Sequence, residues 1–575
     1  MRRKTTGFAA FSAVAAMASV LGSAPGANAE SNATAGRTIT VQLLSFNDYH
    51  GHLEATDKPM AQDPTATPAG GVEYLSAKLT QLRAKMGGAK GNTITAAAGD
   101  LIGGSTFLSG MFHDEPSIES MNTLGLGVSS VGNHEFDEGT AELLRMQNGG
   151  CHPVDGCYFP SQPYAGATFP YLAANVIKNS TGTPLLPGAV VKTVGGEKIG
   201  FIGMTLQGTP SLVDPAGVSS VTFQSEITAA NREANKLTKA GVRAIVLLIH
   251  EGGYQTGGLS DCTSASGPIL DIATKVNPAI DVVVSGHTHQ PYVCKVTDPL
   301  GRPRLLTSAA SYGQLVTESY FTINKTTHDI VRASLRAQNV IVDRTSTPDP
   351  AETAVLDKWR TLAGPIAGKV VGTVAADVTG DSNGNRGIET PMADLVADAI
   401  KWGTQSGGSQ LAFMNVGGVR ASFLVDQISN GEASGEITYT EAYNVSPFGN
   451  LLVTLDMTGQ QIKDMLEQQY VAGRPGGRDN LGLGVSDGFG YTWDATQPQG
   501  SRVVAGSMTL NGVAMDMAAT YRVGTINFLA NGGDSFTGFL AGTNLLGGKE
   551  DLANLVDYLG AHPGVTPPAD RVTGL

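Results

Sequence analysis

The sequence is poor in cysteine, in aromatic residues and in positive charge. Its 575 residues include four cysteines and three tryptophans, and 38 lysines and arginines face 51 aspartates and glutamates. The formal net charge is therefore −13. Because an acidic protein repels polyanions, extended nucleic acid is not expected as a partner, although metal ions or arginines can attract a small phosphorylated ligand locally.

Apolar runs long enough to cross a bilayer are also lacking. The run from Phe8 to Leu21 is too short for a transmembrane helix. It follows Arg2-Arg3-Lys4 and precedes Ala27-Asn28-Ala29, which together predict a secretory signal peptide at residues 1–29. We therefore expect a soluble, secreted, extracellular protein without a membrane anchor. The oligomeric state is not indicated.

The four cysteines predict disulfide bonds, because an exported chain folds in an oxidising compartment. Pairing between neighbours in sequence would join Cys151 to Cys157 and Cys262 to Cys294. Two other connectivities remain open. The spacings do not match a zinc site.

Five apolar runs in the first half end on polar residues, as buried strands do where they open onto loops. The runs are Thr40–Leu44, Thr93–Ala98, Val128–Val131, Ile245–Ile249 and Val282–Ser285. Helix-like segments, Val72–Met86 and Ser225–Ala240, separate some of them. This pattern predicts an α/β layered domain over residues 37–342, with functional side chains at the carboxyl ends of its strands.

The strand ends carry seven candidate metal ligands with mixed nitrogen and oxygen donors. They are Asp48, His50, Asp100, Asn133, His250, His287 and His289. Seven donors are too many for one ion but suit two divalent ions if Asp100 bridges them, and the donor types favour Zn²⁺ or Mn²⁺ over Ca²⁺.

The remaining histidines divide into one catalytic candidate and several ordinary side chains. His134 follows the candidate ligand Asn133, and Asp137 is placed to hydrogen bond to its imidazole. A histidine oriented in this way is a general acid for a leaving alkoxide. No role is predicted for His52, and the histidines at 113, 152, 328 and 562 are expected to be ordinary polar side chains.

A second, smaller α/β domain is predicted at residues 368–575. A polar, proline-rich stretch and a short helix, Ala351–Leu362, make residues 343–367 a linker. Strands at Ala367–Val374, Leu451–Met457 and Tyr521–Thr525 alternate with helices at Ala393–Trp402 and Gly459–Tyr470. Thr390-Pro391 supplies an N-cap and a first-turn proline to the first of these helices.

The motifs D-x-H, G-D, G-N-H-E-x-D, H-E-G-G and G-H-T-H resemble those of the calcineurin-like metallophosphoesterases. The second half narrows the resemblance to the secreted 5′-nucleotidase and UDP-sugar hydrolase family. That resemblance implies one metal held by Asp48, His50, Asp100 and His289, and another held by Asp100, Asn133, His250 and His287.

In the second half the resemblance implies a substrate-binding site. Asn415-Val416-Gly417-Gly418-Val419-Arg420 is similar to the family's phosphate loop. The further residues implied are Phe448 and Phe528 around the nucleobase, Asp534 at the ribose and Arg386 as a second phosphate arginine. Where many members read E-[ST]-N-x-G-N-L, this chain reads Glu389-Thr390-Pro391-Met392-Ala393-Asp394-Leu395.

The resemblance implies phosphate release from nucleoside 5′-monophosphates. Hydroxide generated at the two ions would attack phosphorus with help from His134, and the second domain would swing to deliver substrate. Phe448 and Phe528 are expected to lie too far along the substrate to touch the reacting phosphorus. The alternatives are UDP-sugars, nucleoside di- or triphosphates, NAD or 2′,3′-cyclic nucleotides, and more distantly a non-catalytic nucleotide-binding protein.

Overall fold

The computed structural model describes residues 37–55, 63, 67–213, 217–380, 385–474 and 478–575. The signal peptide predicted at residues 1–29 lies outside this range. From Ile39 to Leu575 the chain forms one unit, so contacts between its two halves are part of one body.

The strands are, in the first half, β1 (Thr38–Phe46), β2 (Thr93–Ala98), β3 (Val128–Ser130), β4 (Tyr171–Leu172), β5 (Val176–Lys178), β6 (Ala189–Val194), β7 (Glu197–Thr205), β8 (Val221–Phe223), β9 (Ala244–His250), β10 (Val282–Ser285), β11 (Pro291–Thr297), β12 (Pro303–Ala309), β13 (Leu315–Asn324), β14 (Asp329–Ile330) and β15 (Arg336–Ile341). The second half adds β16 (Val370–Thr373), β17 (Leu411–Asn415), β18 (Glu436–Thr438), β19 (Leu451–Thr458), β20 (Leu483–Val485), β21 (Phe489–Thr492), β22 (Thr509–Leu510), β23 (Val513–Ala514), β24 (Thr520–Ile526), β25 (Thr543–Glu550) and β26 (Val572–Thr573).

The helices are α1 (Val72–Ala84), α2 (Phe107–Gly110), α3 (Glu115–Thr123), α4 (Gly139–Asn148), α5 (Glu226–Lys239), α6 (Pro268–Lys275), α7 (Pro350–Ala367), α8 (Pro391–Gly403), α9 (Tyr439–Val445), α10 (Gly459–Leu466), α11 (Asn527–Ala530) and α12 (Asp551–Ala561). Across the described residues, none of them combines the length and apolar character needed to cross a membrane.

Two sheets form the first half. One has the order β14-β13-β1-β2-β3-β4, with β15 also paired to β13, and the other has the order β11-β12-β10-β9-β7-β6. Alternate side chains of the strands point to opposite faces of a sheet. Leu43 and Ala98 of the first sheet share one buried cluster with Phe201 and Leu248 of the second. The outer faces pack against helices, so the predicted layered α/β fold is confirmed.

Parallel pairing aligns the carboxyl ends of the central strands. β1, β2 and β3 run parallel, as do β9 and β10. Phe46 pairs with Ala97, and Ile249 pairs with Ser285. The loops that follow these strands therefore start at the same edge of each sheet.

The second half is built on a sheet with the order β20-β17-β24-β19-β25. Helix α7 connects it to the first half and is longer than predicted, because it continues to Ala367. The strand predicted from Ala367 is therefore wrong at its start and begins at Val370. At the start of α8, the Thr390 side chain accepts a hydrogen bond from the Ala393 amide at 3.3 Å, which confirms the predicted N-cap.

Both predicted disulfides are confirmed. Cys151 is bonded to Cys157 and Cys262 to Cys294. The first closes a short surface loop after α4, and the second ties β11 to the loop that precedes α6.

Candidate functional site

The structure brings the seven candidate ligands together at the joined edges of the two sheets. They follow β1 (Asp48, His50), β2 (Asp100), β3 (Asn133) and β10 (His287, His289), or end β9 (His250). The side chains of Asp48, His50 and His250 are completely buried. Sequence position alone therefore located a cluster that draws on five strands.

The donor atoms form two groups that Asp100 connects. Asp48, His50 and His289 make one group, and Asp100, His250 and His287 make the other, with ligand atoms within 4.8 Å of one another in each. Asp100 Oδ2 lies 2.8 Å from His250 Nε2 and 3.7 Å from His50 Nε2. One carboxylate thus reaches both groups, as a bridging ligand must.

Asn133 and His287 complete the second group. Their Oδ1 and Nδ1 atoms lie 3.0 Å apart. The His287 amide donates to both oxygens of Asp48 at 3.0 Å, which ties the loops of the two sheets together.

Hydrogen bonds to the far side of the imidazoles fix which nitrogen faces the centre. His50 Nδ1 donates to Gly103 O at 2.7 Å, and His250 Nδ1 donates to Ala98 O at 2.8 Å. Each ring therefore turns its Nε2 atom inward, as metal-bound histidines do. His287 Nε2 is buried without a hydrogen-bond partner among the described residues. These donors fit two divalent metal ions.

The buried histidines of the cluster differ in how readily they take up a proton. Burial lowers the pKa of His50 and of His287 well below the usual histidine value. Burial also opposes protonation of His250, but Asp100 and Asp48 outweigh it and raise the pKa of His250 to about 10. Positive charge is thus favoured beside the two carboxylates, and a cation supplies the same charge.

His134 and Asp137 form the predicted pair. The imidazole Nδ1 donates to Asp137 Oδ2 at 2.7 Å, and the His134 amide donates to Asp100 Oδ1 at 2.9 Å. Burial alone would lower the pKa of His134, but the Asp137 and Asp100 carboxylates raise it. A Cβ at Gly103 would lie 2.7 Å from Asp137 Oδ2, so only glycine fits beside this pair.

Glu135 organises the ligand loops and was missed in the sequence. Its carboxylate accepts hydrogen bonds from the backbone amides of Asp100 at 3.0 Å and Leu101 at 2.8 Å, and also from the amide of Gly132. The only signal for it was an acidic residue directly after His134, which resembles many solvated glutamates.

A single cavity joins this cluster to the second half. It is lined by metal-side residues (Asp100, Asn133, His134, Asp137, His287, His289) and by all eight predicted substrate-binding residues (Arg386, Asn415, Gly417, Gly418, Arg420, Phe448, Phe528, Asp534). The lining residues that the sequence did not single out are Leu212, Val213, Gly449, Asn450, Arg478, Ile526 and Asn527.

Three arginines make the cavity attractive to an anion. Arg478 donates to His287 O at 3.3 Å, and it lines the cavity with Arg386 and Arg420. Repulsion from Arg478, burial and repulsion from Arg420 lower the pKa of Arg386 to about 9. Three guanidinium groups that line one cavity favour the binding of a negatively charged group. Arg478 was missed because it stands in a glycine-rich stretch that resembles a surface turn.

The sugar-side contacts are polar and pre-oriented. Asn415 ends β17, and its Nδ2 donates to Asp534 Oδ2 at 2.7 Å. Asp534 has a left-handed backbone, φ 52°, which turns its carboxylate into the cavity wall. The remaining Asp534 lone pairs are available to ligand hydroxyls.

The two phenylalanines differ in their distance from the metal cluster. The Phe448 ring stacks on His134, with centroids 6.0 Å apart and planes 19° apart. It therefore lies closer to the reaction centre than the sequence suggested. Phe528 lies on α11, where Gly533 lets the chain pass close to the ring, since a Cβ there would come within 2.6 Å of it.

Comparison with known proteins gives the same two-part organisation. The family described as "5'-nucleotidase, C-terminal domain" matches residues 370–541. The endonuclease YhcR of Bacillus subtilis is 34% identical over 91% of this chain, and the cell wall protein Lmo0130 of Listeria monocytogenes is 30% identical over 91%. The chain spans 40% of the first relative and 67% of the second.

A solved structure matches over nearly its whole length. The crystal structure of a 5'-nucleotidase precursor from Thermus thermophilus is 26% identical, with a TM-score of 0.74. The match covers 93% of this chain and 99% of that one. Sequence and fold therefore agree over both halves.

Proposed function

Because the chain belongs to the 5′-nucleotidase family, we propose that it is a secreted, metal-dependent hydrolase that removes phosphate from nucleoside 5′-monophosphates. The observation that carries this proposal is the single cavity in which the metal-ligand cluster faces three arginines and two phenylalanines. A nucleotide has the matching order of groups, with its phosphate at one end and its base at the other.

The two proposed ions would be held by the ligand groups that meet at Asp100. When bound, they neutralise phosphate charge and lower the pKa of water so that hydroxide forms near neutral pH. Zn²⁺ and Mn²⁺ suit the histidine and carboxylate donors of the cluster.

His134 is the proposed general acid. Asp137 holds its Nδ1 proton, which leaves Nε2 to give a proton to the leaving ribose oxygen. The Asp137 and Asp100 carboxylates raise the pKa of His134, which favours its protonated form. As an imidazolium it also offsets the negative charge that develops on the leaving oxygen.

The second half is the proposed substrate reader. The arginines at 386, 420 and 478 would hold phosphate oxygens, and the amide groups of the glycine loop at 417–418 let the phosphate approach closely. Phe528 and Phe448 would stack on the base, which is a contact that tolerates every base. Asp534, which Asn415 orients, would accept hydrogen bonds from the ribose hydroxyl groups.

Two disulfides support a location outside the cytoplasm. The predicted signal peptide agrees with this proposal. Cell fractionation of the producing organism tests it, since the protein is expected in the culture medium or at the cell surface.

A product panel tests the substrate, with nucleosides, nucleotides and phosphate separated by chromatography, because UDP-glucose, NAD and 2′,3′-cyclic AMP can be cleaved without release of inorganic phosphate. Protein reconstituted with Zn²⁺ or Mn²⁺ is compared on AMP, GMP, CMP and UMP, on UDP-glucose, ADP, ATP and NAD, and on 2′,3′-cyclic AMP. The monophosphates are expected to give the highest kcat/KM. A higher value for another substrate would reassign the bond that is cleaved. Tight nucleotide binding with no turnover on any of them would make the chain a binding protein.

A further inference from the structure

A second cluster of histidines and carboxylates lies outside the catalytic cavity. His113 lies between α2 and α3, and Glu138 directly precedes α4. His152 and Asp155 lie in the loop that the Cys151–Cys157 disulfide closes. No role was predicted for these histidines from their positions in the sequence.

The ligand atoms of this cluster converge on one carboxylate oxygen. Asp155 Oδ2 lies 2.7 Å from His113 Nε2 and 3.6 Å from His152 Nδ1. These three atoms meet the same distance criterion as the two groups of the catalytic cluster. The imidazoles are mostly buried, with 19% and 12% of their side-chain surfaces exposed, while Asp155 is open to solvent.

We propose that His113, His152 and Asp155 form a third divalent cation site, with Zn²⁺ as its ion. Two imidazole nitrogens and one carboxylate oxygen are typical zinc ligands, and solvent completes the coordination. Because the ion has three protein ligands and one of them is exposed, it should exchange more readily than ions in the buried catalytic cluster.

Glu138 supplies the outer contact that metal-binding histidines usually have. His113 Nδ1 donates to the Glu138 carboxylate at 2.8 Å, which leaves Nε2 as the inward-facing ligand atom. Glu142 also lies close to His113, but Arg145 binds its carboxylate through two nitrogens. Glu142 is therefore not counted as a ligand.

In the metal-free protein a proton takes the place of the ion. Burial opposes the charge on His113, but Glu138 and Asp155 raise its pKa to about 9. The His113 ring is consequently a doubly hydrogen-bonded cation that holds the carboxylates together. Zinc displaces this proton, as it does at other histidine sites.

Binding requires a small rearrangement of the rings. His113 and His152 are stacked, with centroids 3.7 Å apart and planes 17° apart. A metal lies in the plane of each imidazole that it binds, so one ring must turn about its Cβ–Cγ bond, which is a soft torsion. The turn exchanges the 3.1 Å hydrogen bond from the Asp155 amide to His152 Nδ1 for the metal bond.

The test is zinc stoichiometry after equilibrium dialysis, measured by elemental analysis of the full-length mature protein. His152→Ala and Asp155→Asn are each expected to bind one zinc ion fewer per chain than the wild type. His328→Ala is the matched control, because His328 also hydrogen bonds to a carboxylate, that of Glu197, but belongs to none of the candidate metal groups. It should bind as much zinc as the wild type.

Equal zinc contents in all four proteins would overturn the proposal and leave the cluster as an ion pair. Thermal unfolding in chelator checks that the variants fold. The measurement is repeated in an Asp100→Ala background, where the catalytic ions are weakened. His152→Ala should still remove one ion there, so failure of the catalytic proposal and failure of this one give different results.

Discussion

Five of the proposed metal ligands have a backbone conformation that residues other than glycine rarely adopt. The φ angles of Asp48, His50, Asp100, His287 and His289 lie between 49° and 73°. A left-handed residue of this kind costs about 1–2 kcal/mol. The cost is borne because each loop must reverse within two to four residues of the end of its strand in order to turn a side chain back into the cluster.

Asp100 is expected to matter more for metal content than His50, since its Oδ2 lies 2.8 Å from His250 in one ligand group and 3.7 Å from His50 in the other. Asp100→Ala should lose two ions per chain relative to the wild type, and His50→Ala should lose one, by elemental analysis after dialysis. Retention of both catalytic ions in Asp100→Ala would show that the carboxylate does not bridge them.

Phe528 and His134 should be separable by their kinetic effects. Losing one stacking face costs about 1–3 kcal/mol, or roughly 5- to 150-fold in kcat/KM on AMP. p-Nitrophenyl phosphate has no base, so Phe528→Ala should leave its hydrolysis nearly unchanged. Equal slowing of both substrates would instead make Phe528 a packing residue.

His134→Ala should lower kcat on AMP by about 10²- to 10⁴-fold. The generic ester should suffer less, because p-nitrophenolate leaves without a proton. Phe448 is unsuitable for this comparison, since its ring stacks directly on His134.

The residues that could be predicted differ from those that could not in one physical respect. Asp48 and His250 stand at the ends of apolar runs, and a strand pattern has a definite end. Arg478 and Glu135 act through contacts with loops that are distant or irregular, and such contacts leave no periodic signal. Phe448 was found in the sequence, but its closeness to His134 depends on how the two halves meet.

At the scale of elements, helix α7 carries a buried carboxylic acid. Glu352 is completely buried beside Ser120 and Tyr49. Burial raises the pKa of Glu352 to about 8. Between pH 4.5 and 8 the folded protein therefore holds a proton that the unfolded chain has released, so the free energy of unfolding falls as the pH rises through this range.

Glu352→Gln should remove this dependence. The variant is expected to be more stable than the wild type at pH 8, by roughly 2–4 kcal/mol, and similar to it near pH 4.5. Urea unfolding of metal-free protein at several pH values measures the difference. Asp357→Asn, an exposed substitution on the same helix, is the control and should show no such trend. A pH-independent difference for Glu352→Gln would mean that Glu352 is ionised when buried.

Element boundaries followed from local signals where a cap or a strand end was present. Thr390 and Pro391 marked the start of α8 correctly. The end of α7 was misjudged because Gly364-Pro365 is a typical stop signal, yet the helix continues through Pro365 to Ala367. Short strands such as β4 and β5 depend on pairing with their neighbours and were not found from their own residues.

For the whole molecule, the proposed ligands and the substrate residues come from separate lengths of chain. Every proposed metal ligand lies between residues 48 and 289, and every proposed substrate residue lies between 386 and 534. A ligand stabilises only the state that binds it. Removal of the metal ions by a chelator should therefore lower the stability of residues 37–342 against local unfolding and leave that of residues 368–575 nearly unchanged.

Hydrogen–deuterium exchange with and without EDTA measures this. Faster exchange is expected around β1, β2 and β10, and unchanged exchange in β17, β19 and β24. Adenosine should do the opposite and protect the second half. A uniform response over both halves would contradict the proposed division into two domains.

The cavity that spans both halves has a consequence for how the products leave. A released nucleoside would be held only by the second half, through Phe528 and Asp534, whereas inorganic phosphate would be shared between the metal cluster and the arginines. If the second half swings away, as the family resemblance implies, the phosphate would stay either with the metal cluster or with the arginines. The relative affinity of these two sites for phosphate, rather than the rate of bond cleavage, would then determine how strongly accumulated phosphate inhibits the enzyme.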